Sequence, residues 1–367
     1  MVAAGSVNEG VAVDGLQRAL ELFWHPVCTS GELAAAGDRP LGVRLLGRPL
    51  AVARTETGGL LALADRCVHR STRLSVGWVE GETIRCAYHG WRYAADGRCT
   101  EIPSMPEGPI PERACVAGFD ATERHGLVWV RIDGSAGTAV PAHPAFERVA
   151  SAPGSMRIVP GVPYTWPVAA PRRVENFVDL AHFAWVHDGS LGRRDEPVPP
   201  LPTMARVDGE LRFSFDPPEM TVDDAALFGH SEYRMPMPLT VSIEFWLAGG
   251  AYRHLWMTAS PLDMRTCRAF WTVSRDDDVD GDDEPHMAFQ ALVLAEDEPV
   301  VCNQDPPELV LDAGFEISVR TDRVSIEYRR WLSQLAGAAL VGSDAVRAVI
   351  ASQSSDPARR HAAAAPV

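Results

Sequence analysis

Apolar and polar positions along the chain predict a β-rich front half and a mixed back half. Residues 16–28, LQRALELFWHPVC, carry helical spacing that runs into a strand interrupted at Pro26. Between Gly42 and Asp65, runs of Leu, Val and Ala closed by Gly-Arg-Pro and Thr-Gly-Gly predict strand, turn, strand. Residues 94–114 are dense in Pro and Gly and read as a surface excursion, after which GLVWVRI, from Gly126, is a clean strand. Gly134 to Pro144, GSAGTAVPAHP, is the best linker candidate. Beyond it, runs starting at Glu210, Leu239, Arg253 and Cys267 alternate as half-buried antiparallel strands do, and DRVSIEYRRWLSQLAGAAL predicts an amphipathic helix. The pattern divides the chain into a helix and lead-in over 1–40, a small β domain over 41–145, an α+β domain over 146–350 and a flexible tail over 351–367.

A chain of 367 residues accommodates two domains, and 46% hydrophobic with 23% charged residues is ordinary for a globular protein. The formal charge of −15 argues against nucleic acid and anionic membrane surfaces, which are bound through clustered Lys and Arg. No apolar run approaches a membrane span and the first residues lack a signal-peptide pattern, so the expected location is the cytoplasm. The expectation for Cys28, Cys99, Cys115, Cys267 and Cys302, scattered without paired spacing, is free thiols in a reducing compartment. The acidic run Asp276 to Glu284 imitates an EF-hand start, yet its twelfth position is Met287, so it reads as a solvated hairpin loop. Histidines outside the two motifs below read as isolated surface or core residues.

The first motif lies between Arg66 and Tyr93. Cys67-Val68-His69 and Cys86-Ala87-Tyr88-His89, separated by sixteen residues, bring two thiolates and two imidazoles into short loops. That donor set points to a metal. Cys2His2 zinc is one reading, although zinc fingers usually pair Cys with Cys and His with His. In a Rieske [2Fe-2S] centre two cysteines hold one iron and two histidines the other, so each half-site contributes one of each. Hairpin tips would let backbone amides point at the cluster sulfurs.

The second motif is ENFVDLAHFAWVH, Glu175 to His187. On a helix Asn176, Asp179 and His182 share a face, whereas His187 is rotated about 140° from His182, so both imidazoles meet one metal only if the helix loosens or bulges by an extra residue. Two imidazoles plus one carboxylate form a facial triad that holds Fe(II) with positions open for O2 and substrate. Zinc fits the same ligands but has no redox chemistry.

Together, the C-x-H and C-x-x-H loops, the trailing YHGWRY and the N-x2-D-x2-H-x4-H helix resemble the oxygenase component of the Rieske non-heme iron oxygenases, vanillate O-demethylase and dicamba monooxygenase type, from about Trp24 to Leu335. The resemblance implies a Rieske domain followed by a curved antiparallel sheet gripping a helix, with Cys67, His69, Cys86 and His89 on the cluster and His182 and His187 on mononuclear Fe(II). It implies Asp297, in LAEDEPVV, as the third iron ligand rather than the flanking Glu296 and Glu298 or the later Asp305, with Pro299 leaving the register open, and Asn176 as an iron-proximal amide. It also implies that Asp179 bridges His182 and the His89 of a neighbouring subunit in a head-to-tail homotrimer. Electrons would come from NAD(P)H through a separate flavin reductase or ferredoxin, with O2 as co-substrate. The expected outcome is monooxygenation of a small aromatic or heteroaromatic molecule, by hydroxylation or O- or N-demethylation. Ring cis-dihydroxylation and a non-catalytic electron carrier are the alternatives.

Overall fold

The computed structural model describes residues 14–215, 230–247 and 249–352. The tail expected from residue 351 therefore lies, from 353 on, outside the described residues. The front half begins with a helix over residues 14–21, α1, which buries Leu16, Ala19 and Leu20. It continues with β1 (His25–Thr29), α2 (Ser30–Ala36), β2 (Leu41–Leu45), β3 (Arg48–Arg54), β4 (Leu60–Ala64), β5 (Trp78–Glu80), β6 (Thr83–Arg85), β7 (Arg92–Tyr93), β8 (Cys99–Glu101), β9 (Asp120–Arg124) and β10 (Leu127–Arg131). These strands form three antiparallel sheets, in orders β1-β10-β9, β2-β3-β4 and β5-β6-β7-β8. The register of β1 against β10 shifts between Pro26 and Cys28, because Pro26 has no N–H for the ladder. Leu61, Leu63, Leu74, Ile84 and Tyr93 pack around Cys67 and Cys86 in a core of their own. At Gly77 a Cβ would meet the Arg85 carbonyl at 2.0 Å, so only glycine lets the chain run past β6 there.

The back half holds α3 (Pro144–Ser151), β11 (Arg157–Pro160), β12 (Tyr164–Trp166), α4 (Ala170–Val178), α5 (Phe183–Val186), β13 (Thr203–Val207), β14 (Glu210–Phe215), β15 (His230–Pro236), β16 (Thr240–Trp246), β17 (Tyr252–Pro261) and β18 (Cys267–Arg275), then α6 (Glu284–Val301), α7 (Arg323–Val341) and α8 (Ser343–Ala351). Its eight-stranded antiparallel sheet has the order β11-β18-β17-β16-β15-β14-β13, with β12 also paired to β18. This is the α+β arrangement the motifs implied, a sheet packed on helices, with α4 against β16, β17 and β18. At the other end of the chain α7 closes on α1, where a Cβ on Gly15 would meet the Ala336 carbonyl at 2.8 Å.

The expectation of half-buried strands holds for β14 and is corrected for β16, β17 and β18. Ser242, His254, Thr258, Thr272 and Ser274, the polar alternates of β16 to β18, are all buried. Trp129 of β10 and His143 cover that outer face, Trp129 lying 6.2 Å from Trp256 and edge-on to it. Four of these five polar groups find partners: His254 Nε2 lies 2.8 Å from the Ser242 hydroxyl, His143 Nε2 2.9 Å from that of Thr272, and the Thr258 hydroxyl 3.0 Å from that of Thr240. Nor are the histidines isolated, since the rings of His125 and His143 lie 5.4 Å apart and those of His143 and His254 5.2 Å.

Two further expectations change. The acidic run joins β18 to α6, not two strands, and its acids have partners: Asp283 takes Arg157 and Arg275, Asp277 takes Arg253, and Asp276 caps the Tyr252 N–H. Pro299 does not break α6, which runs to Val301 around it.

Candidate functional site

The two Cys-His loops share one backbone scheme. Cys67 N–H donates to the Thr72 carbonyl and Ser71 N–H to that of Cys67; Cys86 N–H donates to the Trp91 carbonyl and Gly90 N–H to that of Cys86. Each closing residue is left-handed, Ser71 at φ 61° and Gly90 at φ 73°. Only the second loop is a hairpin tip, between β6 and β7; the first crosses from the sheet of β4 to the sheet of β5, which corrects the expectation of two hairpin tips. Both cysteines are buried, and burial raises the Cys86 thiol, with Cys67 beside it adding to the rise. The His69 and His89 rings are 4.5 Å apart, and His69 stacks on Trp91 at 4.6 Å. His69 Nδ1 is buried without a hydrogen-bond partner, as suits a nitrogen whose partner is a metal. The Tyr93 hydroxyl lies 3.1 Å from Cys67 Sγ.

The second site is built where α4 ends. A loosened or bulged helix was expected from Asn176 to His187, and the distortion is a full break: α4 stops at Val178 and α5 restarts at Phe183. The break has a local cause: Asp179 turns extended and its Oδ1 accepts from Ala181 N–H at 2.8 Å, taking a donor the helix would have used. With the rotational register released, His182 Nε2 and His187 Nε2 approach to 3.2 Å. Asp297 Oδ1, from α6, lies 3.5 Å from the first and 3.3 Å from the second. One ligand atom from each of these three lies within 4.8 Å of the other two, close enough to share a single metal ion.

Electrostatics agree with a cation's place. Burial lowers His182, but Asp179 and Asp297 outweigh it and lift its pKa to about 9. Burial raises Asp297, yet His182, His187 and Arg173 hold it well below the usual carboxylate range. Arg173 is buried, donates from Nε to the Tyr164 hydroxyl at 2.7 Å and from Nη1 to Asn176 Oδ1 at 2.5 Å. Asn176 Nδ2 then donates to Asp297 Oδ1 at 3.1 Å, so the predicted iron-proximal amide touches the carboxylate. Asp179 Oδ2 stands 3.6 Å from His182 Nδ1 and stays one-third exposed. Above the triad opens a cavity of about 500 Å³ walled by Phe177, Phe183, Ile243, Phe245, Leu255 and Phe289.

Sequence reasoning missed Arg173 and gave no role of their own to Tyr93 or to Glu296, whose Oε2 lies 2.7 Å from His187 Nδ1. Only Arg173, one helical turn before Asn176, carried a positional signal.

Residues 23–120 match the Rieske [2Fe-2S] domain and residues 166–338 the vanillate O-demethylase oxygenase C-terminal domain. The chain is 40% identical over 337 residues to the methylxanthine N1-demethylase NdmA of Pseudomonas putida, covering 90% of this chain and 93% of the relative. The chain belongs to the Rieske non-heme iron oxygenases. As a Rieske oxygenase it carries a [2Fe-2S] cluster and mononuclear iron, uses O2, acts on a small molecule, and takes electrons from a separate reductase or ferredoxin. A second relative, the methylxanthine N3-demethylase NdmB of the same species, is 40% identical over 339 residues, 89% of this chain and 93% of its own. The structure of Pseudomonas putida NdmA with caffeine superposes with a TM-score of 0.85 at 38% identity, over 92% of this chain and 97% of that one. Dicamba monooxygenase bound to dicamba shares the fold, with a TM-score of 0.70 at 24% identity over 87% and 99%. No helix among the described residues is long and apolar enough to cross a membrane.

Proposed function

We propose that this terminal oxygenase removes a methyl group from nitrogen on a small heteroaromatic ring. The observation that carries the reading is the convergence of His182, His187 and Asp297 at one end of a mainly aromatic and aliphatic cavity of about 500 Å³, the size of a ring system and its substituents. Likeness to two methylxanthine demethylases supports nitrogen over oxygen as the methylated atom. In the balanced reaction the N-methyl ring, one O2, two electrons and two protons give the ring N–H, formaldehyde and water.

In this reading Cys67, His69, Cys86 and His89 hold the cluster, and His182, His187 and Asp297 hold the iron, in two domains dividing near residue 145. Once bound, the cluster supplies electrons singly and Fe(II) activates O2. The chain's residues do the rest. Asn176 and Arg173 pin Asp297 so that one oxygen faces the imidazoles. Phe177, Phe245 and Leu255 exclude water and sandwich the planar ring.

Asp179 touches His182 inside the chain, and its exposed side is offered to the His89 imidazole of a neighbouring copy in a head-to-tail homotrimer. Exposed His89, Tyr88 and Val68 at the cluster and exposed Trp185 beside the iron support that docking. The five cysteines outside the cluster, none of them in a disulfide, suit a reducing cytoplasm.

The test is O2 uptake by the reconstituted protein with a surrogate reductase and N-methylated purines. Formaldehyde should appear mole for mole with O2 consumed. Iron analysis should return three irons per chain; two would leave an electron carrier. Uptake without formaldehyde from any N-methyl or O-methyl heteroaromatic would overturn the demethylase reading.

A further inference from the structure

We infer that Glu296 is the positioning residue that sets which nitrogen of His187 faces the mononuclear iron. The inference rests on the reading above, in which His182, His187 and Asp297 hold that ion. His187 is buried and both its nitrogens are engaged. Nε2 points at the triad, 3.3 Å from Asp297 Oδ1, while Nδ1 lies 2.7 Å from Glu296 Oε2. An ionised carboxylate only accepts, so Nδ1 carries the hydrogen and the Nε2 lone pair is left for the metal.

The two acids are consecutive on α6, and consecutive helical positions point about 100° apart. Asp297, short and buried, enters the triad; Glu296, one methylene longer, passes along the far edge of the same imidazole. His187 is thus held between neighbouring carboxylates. A second group fixes Glu296: the Ser190 hydroxyl donates to the same Oε2 at 2.8 Å. Ser190 opens the loop that carries Leu191 and Pro197 into the cavity wall, so Glu296 ties α6, the end of α5 and that wall to one ligand. His182 has no equal support. Its Nδ1 is buried without a hydrogen-bond partner, Asp179 standing off at 3.6 Å. The two imidazoles thus differ in their outer partners, a 2.7 Å contact to Glu296 at His187 and a 3.6 Å contact to Asp179 at His182.

The experiment uses the full chain, reconstituted anaerobically, in the variants Glu296→Ala, Glu296→Gln, Glu296→Asp, Ser190→Ala and His187→Ala. Two quantities are read: the rate at which Fe(II) passes to a ferrous chelator, and the electron paramagnetic resonance of Fe(II) probed with nitric oxide. Visible absorbance of the cluster reports that the protein is folded. Loss of a carboxylate behind a ligand histidine costs about ten- to a hundredfold in metal affinity, so Glu296→Ala should release iron faster by that order and broaden the spectrum. Glu296→Gln should fall between Ala and wild type, because its amide oxygen still accepts from Nδ1–H. Glu296→Asp should resemble Ala, its reach being one methylene short. Release from Glu296→Ala within about threefold of wild type, well short of the ten- to hundredfold expected, with an unchanged spectrum overturns the inference. Should Glu296→Ala fail to fold, wild-type behaviour of both Glu296→Gln and Ser190→Ala overturns it instead. If His187→Ala itself keeps iron as wild type does, the ligand reading falls. If His187→Ala loses iron while Glu296→Ala holds it, only the role of Glu296 falls.

Discussion

The Tyr93 hydroxyl lies 3.1 Å from Cys67 Sγ, and burial together with that thiol raises the phenol far above its ordinary pKa, so it stays a donor at any working pH. A donor to a cluster sulfur stabilises the more negative, reduced state. Tyr93→Phe should therefore lower the cluster's reduction potential by on the order of 40 mV, one neutral hydrogen bond of about 1 kcal/mol read through a one-electron couple. Potentiometric titration of the visible spectrum checks it; an unchanged potential would detach Tyr93 from the cluster. His182→Ala should lose the mononuclear iron and keep the cluster absorbance, with metal analysis falling from three irons per chain to two. At this scale the ligands were legible because the chemistry demands their types at short spacing. The residues behind them were not: α6 buries only Asp297 and Val301, so no apolar stripe told which way Glu296 would point.

Among elements, the break between α4 and α5 carries the most consequence, since it brings His187 beside His182. Spacing showed that an unbroken helix could not place both imidazoles on one ion, but an inserted residue and a restart meet that need equally. What selects the restart is the Asp179 side chain taking the Ala181 N–H. Asp179 thus has two separable jobs, a turn and a charge beside His182. Asp179→Asn keeps the acceptor for Ala181 and removes the charge. It should melt and load iron like wild type while losing nearly all coupled turnover with reductase. Asp179→Ala loses both, adding a stability loss of about 0.5–2 kcal/mol typical of a missing cap. Thermal melts beside single-turnover assays separate the two, and full activity in Asp179→Asn would remove the charge from the electron path. The long strands were legible from alternation and the covering of their outer face was not, because Trp129 and His143 come from far upstream.

Across the whole molecule four histidines outside the iron triad lie where burial opposes their charged form: His25, His125, His143 and His254. Three of them, His125, His143 and His254, meet in space, and spread over the chain they gave no local signal of it. Burial depresses all four, to about 4 for His25 and His125, about 2 for His143 and about 3 for His254; Arg124 adds to it at His125, the neighbouring imidazoles at His143, and Arg148 and Arg234 at His254, while the Leu20 carbonyl partly opposes it at His25. The unfolded chain takes up these protons near pH 6.5 and the folded one does not, so stability present above that pH is lost as pH falls toward about 4. Each unit of depression is worth about 1.36 kcal/mol, so His25 alone withdraws roughly 3 kcal/mol over the window. The protein should therefore lose stability steeply between pH 6.5 and about 5, before its ordinary carboxylates titrate. Urea unfolding of the chain across that range measures the slope. His143→Gln, whose amide can still reach the Thr272 hydroxyl, should flatten it by up to about 1.36 kcal/mol per pH unit. A slope identical in wild type and variant would mean that His143 takes up its proton in the folded state, contrary to its burial between Trp256 and Phe146.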